Sequence, residues 1–154
     1  LYYLLGGVEG VVIGSFYATF TISRLIYFTL NKDASDPNYF AGIPSPVGGM
    51  IVMSSVVLFR DQPTWVGFLA GVACTQMVAF STNYRHLGRA LTSSRRALFG
   101  APAYLLIFVL GAALWGVKGA AAVVLAGAAT YGFLPSLLSF KALFSGEEIK
   151  DKEP

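Results

Sequence analysis

Charge is scarce in this chain. Asp, Glu, Lys and Arg make up 12% of its 154 residues, about half the share of a water-soluble domain, and a soluble fold is not expected on that ground. Cysteine is nearly missing too. Cys74 stands alone, which rules out a disulfide framework or a cysteine-built metal cluster, and its place in an apolar run reads as a small buried side chain. The sequence has one histidine, no Walker-type phosphate loop, no nucleophile elbow and no His/Cys ligand spacing. Asp33 and Asp36 lie in a polar connection, and no paired carboxylates stand at helical spacing near a membrane boundary. Divalent-metal phosphoryl transfer needs such oxygen ligands, so no metal is expected to be held by this chain. No nucleic-acid partner is expected either.

What the chain does have is apolar length. Hydrophobic residues make up 55% of it and gather in runs of roughly 18 or more, enough to cross ~30 Å of hydrocarbon at 1.5 Å per residue. Five stretches are expected to span: 4–30, 43–59, 65–83, 98–116 and 119–140. The expectation is an all-α polytopic bundle, a single membrane domain over 1–154 with a charged tail at 141–154. Gly6, Gly10 and Gly14, and Gly67 and Gly71, recur at the spacing that lets helices approach closely in lipid.

Threading these stretches alternately through a bilayer places 31–42, 84–97 and the tail on one side. That side carries Lys32, Arg85, Arg89, Arg95, Arg96, Lys141, Lys150 and Lys152, against Arg60 and Lys118 opposite. The positive-inside rule makes the richer side cytoplasmic. The protein is therefore expected to be integral to the cytoplasmic membrane, with its basic loops and C-terminus in the cytoplasm. Because the chain enters a hydrophobic stretch at Leu1 with no basic n-region, it is expected to continue a longer protein, with an odd number of spans before Leu1.

Three places could carry chemistry. Arg24 lies about a turn and a half inside the first span, where an ionisable group either snorkels to the interface or faces the bundle, and a bound anion would explain the second. Glu9, near the other end of that span, reads as an interfacial or interhelical polar contact. The segment Asn38-Tyr39-Phe40-Ala41-Gly42-Ile43-Pro44-Ser45-Pro46 sets two aromatics and a glycine before two prolines that open a span. It is either an anion site at a helix N-terminus or an ordinary interfacial helix start with an aromatic belt. Between Arg85 and Arg96 stand four arginines. They serve topology and anionic headgroups, or else Arg85 or Arg89 turns inward to clamp a phosphate. His86 reads as interfacial.

Tyr39-Phe40-Ala41-Gly42-Ile43-Pro44-Ser45-Pro46 resembles the Y-F-x-G-L-P-x-P element of the phosphatidylserine synthases within the CDP-alcohol phosphatidyltransferase family. Ser23-Arg24-Leu25-Ile26-Tyr27-Phe28 is similar to the family's R-L-A-R-F element, with Tyr27 where the second arginine is expected. Ser81-Thr82-Asn83-Tyr84-Arg85 is similar to a basic stretch that contains Ser and Tyr and follows a later span. The family signature D-x2-D-G-x2-A-R-x8-G-x3-D-x3-D does not occur in this sequence. The resemblance implies a C-terminal part of an enzyme of about eight spans. Its activity would be that of a CDP-diacylglycerol–serine O-phosphatidyltransferase, releasing CMP. The resemblance also implies a divalent ion, Mg or Mn, bound by residues preceding Leu1, with CDP-diacylglycerol and L-serine as substrates and a homodimeric assembly. Substrate contacts would fall to Arg24, Tyr39, Phe40, Gly42, Pro44, Ser45, Pro46 and Arg85, and the fragment alone would be inactive. The alternatives are a sister enzyme with another alcohol acceptor, and a non-enzymatic membrane subunit or small transporter.

Overall fold

The computed structural model describes residues 5–31, 39–79, 83–85 and 95–145. In chain order these form α1 (Gly7–Leu30), a short strand β1 (Tyr39–Ala41), α2 (Ser45–Leu58), α3 (Pro63–Met77), a second strand β2 (Asn83–Arg85) and a long helical segment α4 (Arg95–Ser145). The body of the fold is all-helical, as expected. The two three-residue strands pair antiparallel, and this ribbon was not foreseen from the sequence.

α1 runs without interruption because no proline falls in its 24 residues and four of its hydroxyls turn back onto the helix. Thr19, Thr21, Ser23 and Thr29 each donate to the carbonyl four residues back, so these four hydroxyls need no water. Gly10, Ile13 and Arg24 are buried along one face, and Tyr17 and Phe20 pack against the core from the same stripe. The opposite face exposes Val8, Val11, Val12, Phe16, Ile22, Leu25, Ile26 and Leu30. A helix apolar all round is not the amphipathic surface helix of a soluble domain.

α2 and α3 form an antiparallel pair, each with a proline in its first turn, where the missing amide hydrogen has no helical partner to lose. The turn between them is closed by Phe59 N–H to the Ser55 carbonyl and Gln62 N–H to the Phe59 carbonyl, both 2.8 Å. Ile51, Val52, Val56, Val66, Ala70 and Ala73 make the core of the pair, with Ile13 from α1 and Ala128 from α4 added to it. A second cluster joins Ile43, Cys74 and Met77 to Tyr17, Phe20 and Tyr131.

α4 is two helical arms. The backbone breaks at Trp115 (φ −128°, ψ 15°) and Gly116 (φ 61°, ψ −143°), the second conformation being one that glycine alone adopts cheaply. Beyond the break the chain doubles back. A Cβ on Gly119 would collide with the Gly111 carbonyl, Tyr104 stacks its phenol over Gly127, and the Tyr104 hydroxyl donates to the Val123 carbonyl at 3.1 Å. The turn expected at Val117–Lys118 thus falls two residues earlier.

Three further expectations need correction. The stretch expected to span from Trp65 to Asn83 is helical only to Met77, and Asn83 belongs to β2. The basic loop expected over 84–97 begins as strand and ends inside α4. The expected five spans are not supported by helix length. Among the described residues, α1 and residues 100–133 of α4 are long and apolar enough to cross a membrane, while α2 is a shorter apolar helix. Only 11% of the α1 window and 17% of the α4 window are buried, so both leave most of their apolar surface open.

Packing fixes which ends lie together. Tyr17 and Arg24 of α1 reach Ser45 at the start of α2. The end of α3 meets the same point, where Ile43 N–H donates to the Gln76 carbonyl at 3.0 Å. Gly132 of α4 abuts Ile43 and Ile51, and from there back to the break the second arm runs along α2, with Ala128 and Leu125 in the core cluster. The ribbon and the ends of α1 and α3 therefore share one end of the bundle. The α2–α3 turn and the α4 break share the other.

Candidate functional site

The first end of the bundle is organised around Arg24. Four residues from Phe28 and Phe20 and seven from Tyr17 along the α1 stripe, its side chain is turned inward by the same periodicity that buries Ile13. It is 6% exposed. One guanidinium nitrogen donates to the Ser45 hydroxyl at 3.2 Å and the other to the Gly42 carbonyl at 3.4 Å. The cation also lies over the Phe28 ring, 4.6 Å from its centroid, a contact that gains strength away from water. Of the two readings open in the sequence, the bundle-facing one describes the geometry.

Gly42 and Ser45 are held to meet that guanidinium. Gly42 has φ +71°, and a Cβ there would lie 2.5 Å from the Met77 carbonyl. Both the left-handed backbone and the close approach to the end of α3 demand glycine. Ile43, fully buried, then plugs the space between α1, α3 and α4. Pro44 precedes α2, and its carbonyl accepts from Val47 and Gly48 at 2.9 and 3.1 Å. Ser45 opens the helix, and its carbonyl accepts from the Tyr17 hydroxyl at 3.0 Å. Pro46 sits exposed in the first turn.

The ribbon brings in the remaining residues. Tyr39 is the register partner of Arg85, Phe40 of Tyr84 and Ala41 of Asn83. The sequence-predicted residues Arg24, Tyr39, Phe40, Gly42, Pro44, Ser45, Pro46 and Arg85 therefore converge on one end of the molecule, although up to 61 positions separate them. Arg95 and Arg96 open α4. His86 and Arg89 lie outside the described residues, as do Lys32, Asp33, Lys150 and Lys152. Glu9 is exposed in the first turn of α1.

Two contributors were not read from the sequence. Phe28 stands four residues after Arg24 on the same helix, so helical spacing carried the signal. Tyr131, from the second arm of α4, lies within electrostatic range of the guanidinium, and nothing in the chain's local pattern links positions 24 and 131.

Chemically, this is a guanidinium kept out of water at the mouth of an apolar bundle, facing the start of α2, whose amide end bears partial positive charge. The paired strands bring the backbone of Arg85 to the same end. Such an arrangement suits an anionic group with planar oxygens. Among the described residues no three His, Cys, Asp or Glu side chains group to hold a metal ion. These described residues therefore offer no seat for the divalent ion, which the resemblance assigns to residues preceding Leu1. No protein-family model, curated protein or solved structure matches the chain.

Proposed function

We propose that the chain is the C-terminal membrane part of a CDP-alcohol phosphatidyltransferase of the phosphatidylserine synthase type. The observation that carries this reading is the meeting of Arg24 with Gly42 and Ser45, beside the pairing of Tyr39 with Arg85. These are the residues on which the sequence resemblance rests, and a shared end of the bundle gives them a common purpose. In this reading α1, the α2–α3 pair and the two arms of α4 make five passes of an integral protein of the cytoplasmic membrane, with the Arg24 end in the cytoplasm. The apolar exterior of α1 and of the first arm of α4 supports burial in lipid. The short α2 and α3 are then the enclosed helices of the bundle.

The reaction so proposed is attack of a serine hydroxyl on the β-phosphoryl of CDP-diacylglycerol. The new bond joins the serine oxygen to phosphorus, the phosphoanhydride breaks, and CMP leaves. The hydroxyl proton goes to a base outside this chain. Arg24 and Arg85 supply positive charge to a phosphate or to the serine carboxylate, Gly42 and Ser45 fix the Arg24 fork, and the 39–46 segment shapes the mouth. Tyr27, edge-on to Phe28, replaces the family's second arginine and favours testing other alcohols beside serine.

The test is CMP release by the complete protein in lipid, given CDP-diacylglycerol with serine, glycerol phosphate, inositol or choline in turn. Turnover with serine is expected. Turnover with another alcohol alone would move the protein to a sister enzyme, and none with any would leave the non-enzymatic membrane subunit.

A further inference from the structure

The end of the bundle opposite Arg24 holds both tryptophans of the chain. Trp65, in the first turn of α3, is 55% exposed, with its ring 6.5 Å from that of Phe59 and edge-on to Phe68 at 6.1 Å. Trp115, at the break of α4, is 74% exposed and flanked by the equally open Leu114 and Val117. Neither indole belongs to a core cluster. An exposed cation stands near each, Arg60 in the α2–α3 turn and Lys118 just past the break. The two sites come from different elements, yet the second arm of α4 runs back along α2 from Gly132, beside Ile43 at the Arg24 end, through Ala128 in the core to the break, which sets both at the other end.

Indole rings collect where one side is hydrocarbon and the other is wet, because the ring is apolar and its N–H seeks an acceptor. Length agrees. The first arm of α4 opens with Arg95 and Arg96 and meets Trp115 about 20 residues on, which at 1.5 Å per residue is ~30 Å, the depth of a hydrocarbon core. An exposed indole among apolar side chains with a cation close by in the chain is the composition a lipid boundary favours. A second copy of the chain would impose no common depth on two unconnected turns.

We propose that Trp65 and Trp115 anchor this end of the bundle at a single lipid headgroup boundary, with Arg60 and Lys118 beside them for the lipid phosphates. The proposal rests on the membrane placement given above and not on the transferase chemistry.

The experiment uses the full chain in phosphatidylcholine vesicles whose acyl chains carry bromine either near the headgroup or near the bilayer centre. Wild-type tryptophan emission is read first. Trp65→Phe and Trp115→Phe are then read singly, with far-UV circular dichroism matched to the wild type, so that each indole is seen alone. Each is expected to be quenched at least about twofold more by the shallow bromines than by the deep ones, as interfacial anchors are. Stronger quenching by the deep bromines at either indole overturns the common boundary. Quenching by aqueous acrylamide alone puts that end in water, and quenching by neither puts it against protein, as in a dimer; both outcomes reject the proposal. A variant that does not fold leaves the wild-type measurement decisive, since both indoles must then show the shallow pattern. CMP release is a separate readout, so losing one reading leaves the other standing.

Discussion

A guanidinium about six residues inside the end of an apolar helix has to be satisfied by protein, because hydrocarbon offers it no acceptor. Arg24 meets this condition through Ser45, the Gly42 carbonyl and the Phe28 ring. A purely structural pin and an anion-binding group would share these contacts, and they part on substitution. Arg24→Ala in the complete protein is expected to lower kcat/KM for the CDP-lipid by roughly 10- to 100-fold, the size of one or two charge-assisted hydrogen bonds. Arg24→Lys keeps the charge but not the planar fork, and is expected to recover part of the loss while thermal stability stays near that of the wild type. Full kinetics with lowered stability in both variants would assign Arg24 to structure alone.

At the scale of the element, α4 depends on two glycines for different reasons. Gly116 supplies the backbone of the break, and Gly119 lets the arms touch at Gly111. Gly119→Ala is expected to cost about 1–3 kcal/mol, as overpacking does, and Gly116→Ala about 1–2 kcal/mol for the forced left-handed backbone. Gly100→Ala meets open space and serves as the control for the helix propensity that any Gly→Ala change gains, with thermal unfolding in detergent as the measurement. Equal midpoints for Gly119→Ala and Gly100→Ala would mean that the arms do not pack as described. The same element shows what the sequence could convey. The sequence left Arg24 open between the interface and the bundle, and the gap between the stretches 98–116 and 119–140 put the α4 turn two residues late. The end of α3 was not legible, since the apolar run continues past Met77 through Val78, Ala79 and Phe80. There the Gln76 carbonyl accepts instead from Ile43 and Ala79, a tertiary cap supplied from 33 positions away. Nor could hydropathy reveal the ribbon, because three-residue strands are fixed by partnership and not by their own pattern.

For the whole molecule, the deciding question is whether its two ends face different compartments. Charge in the sequence puts eight cations on the Arg24 side and two on the other, and packing independently groups Gln62 with Val117 and sets Asn31 at the opposite end. These three positions are exposed, while the native thiol of Cys74 is buried and does not compete for reagent. Single replacements Asn31→Cys, Gln62→Cys and Val117→Cys in intact cells are therefore expected to divide two ways with a membrane-impermeant maleimide. Gln62→Cys and Val117→Cys react from outside, and Asn31→Cys reacts only after the membrane is opened, as the positive-inside rule requires. Reaction of all three from one face would mean that the bundle does not cross the bilayer. The inverse pattern would keep the fold and the crossing while moving Arg24 to the outer face, where a CDP-activated lipid made in the cytoplasm would not meet it.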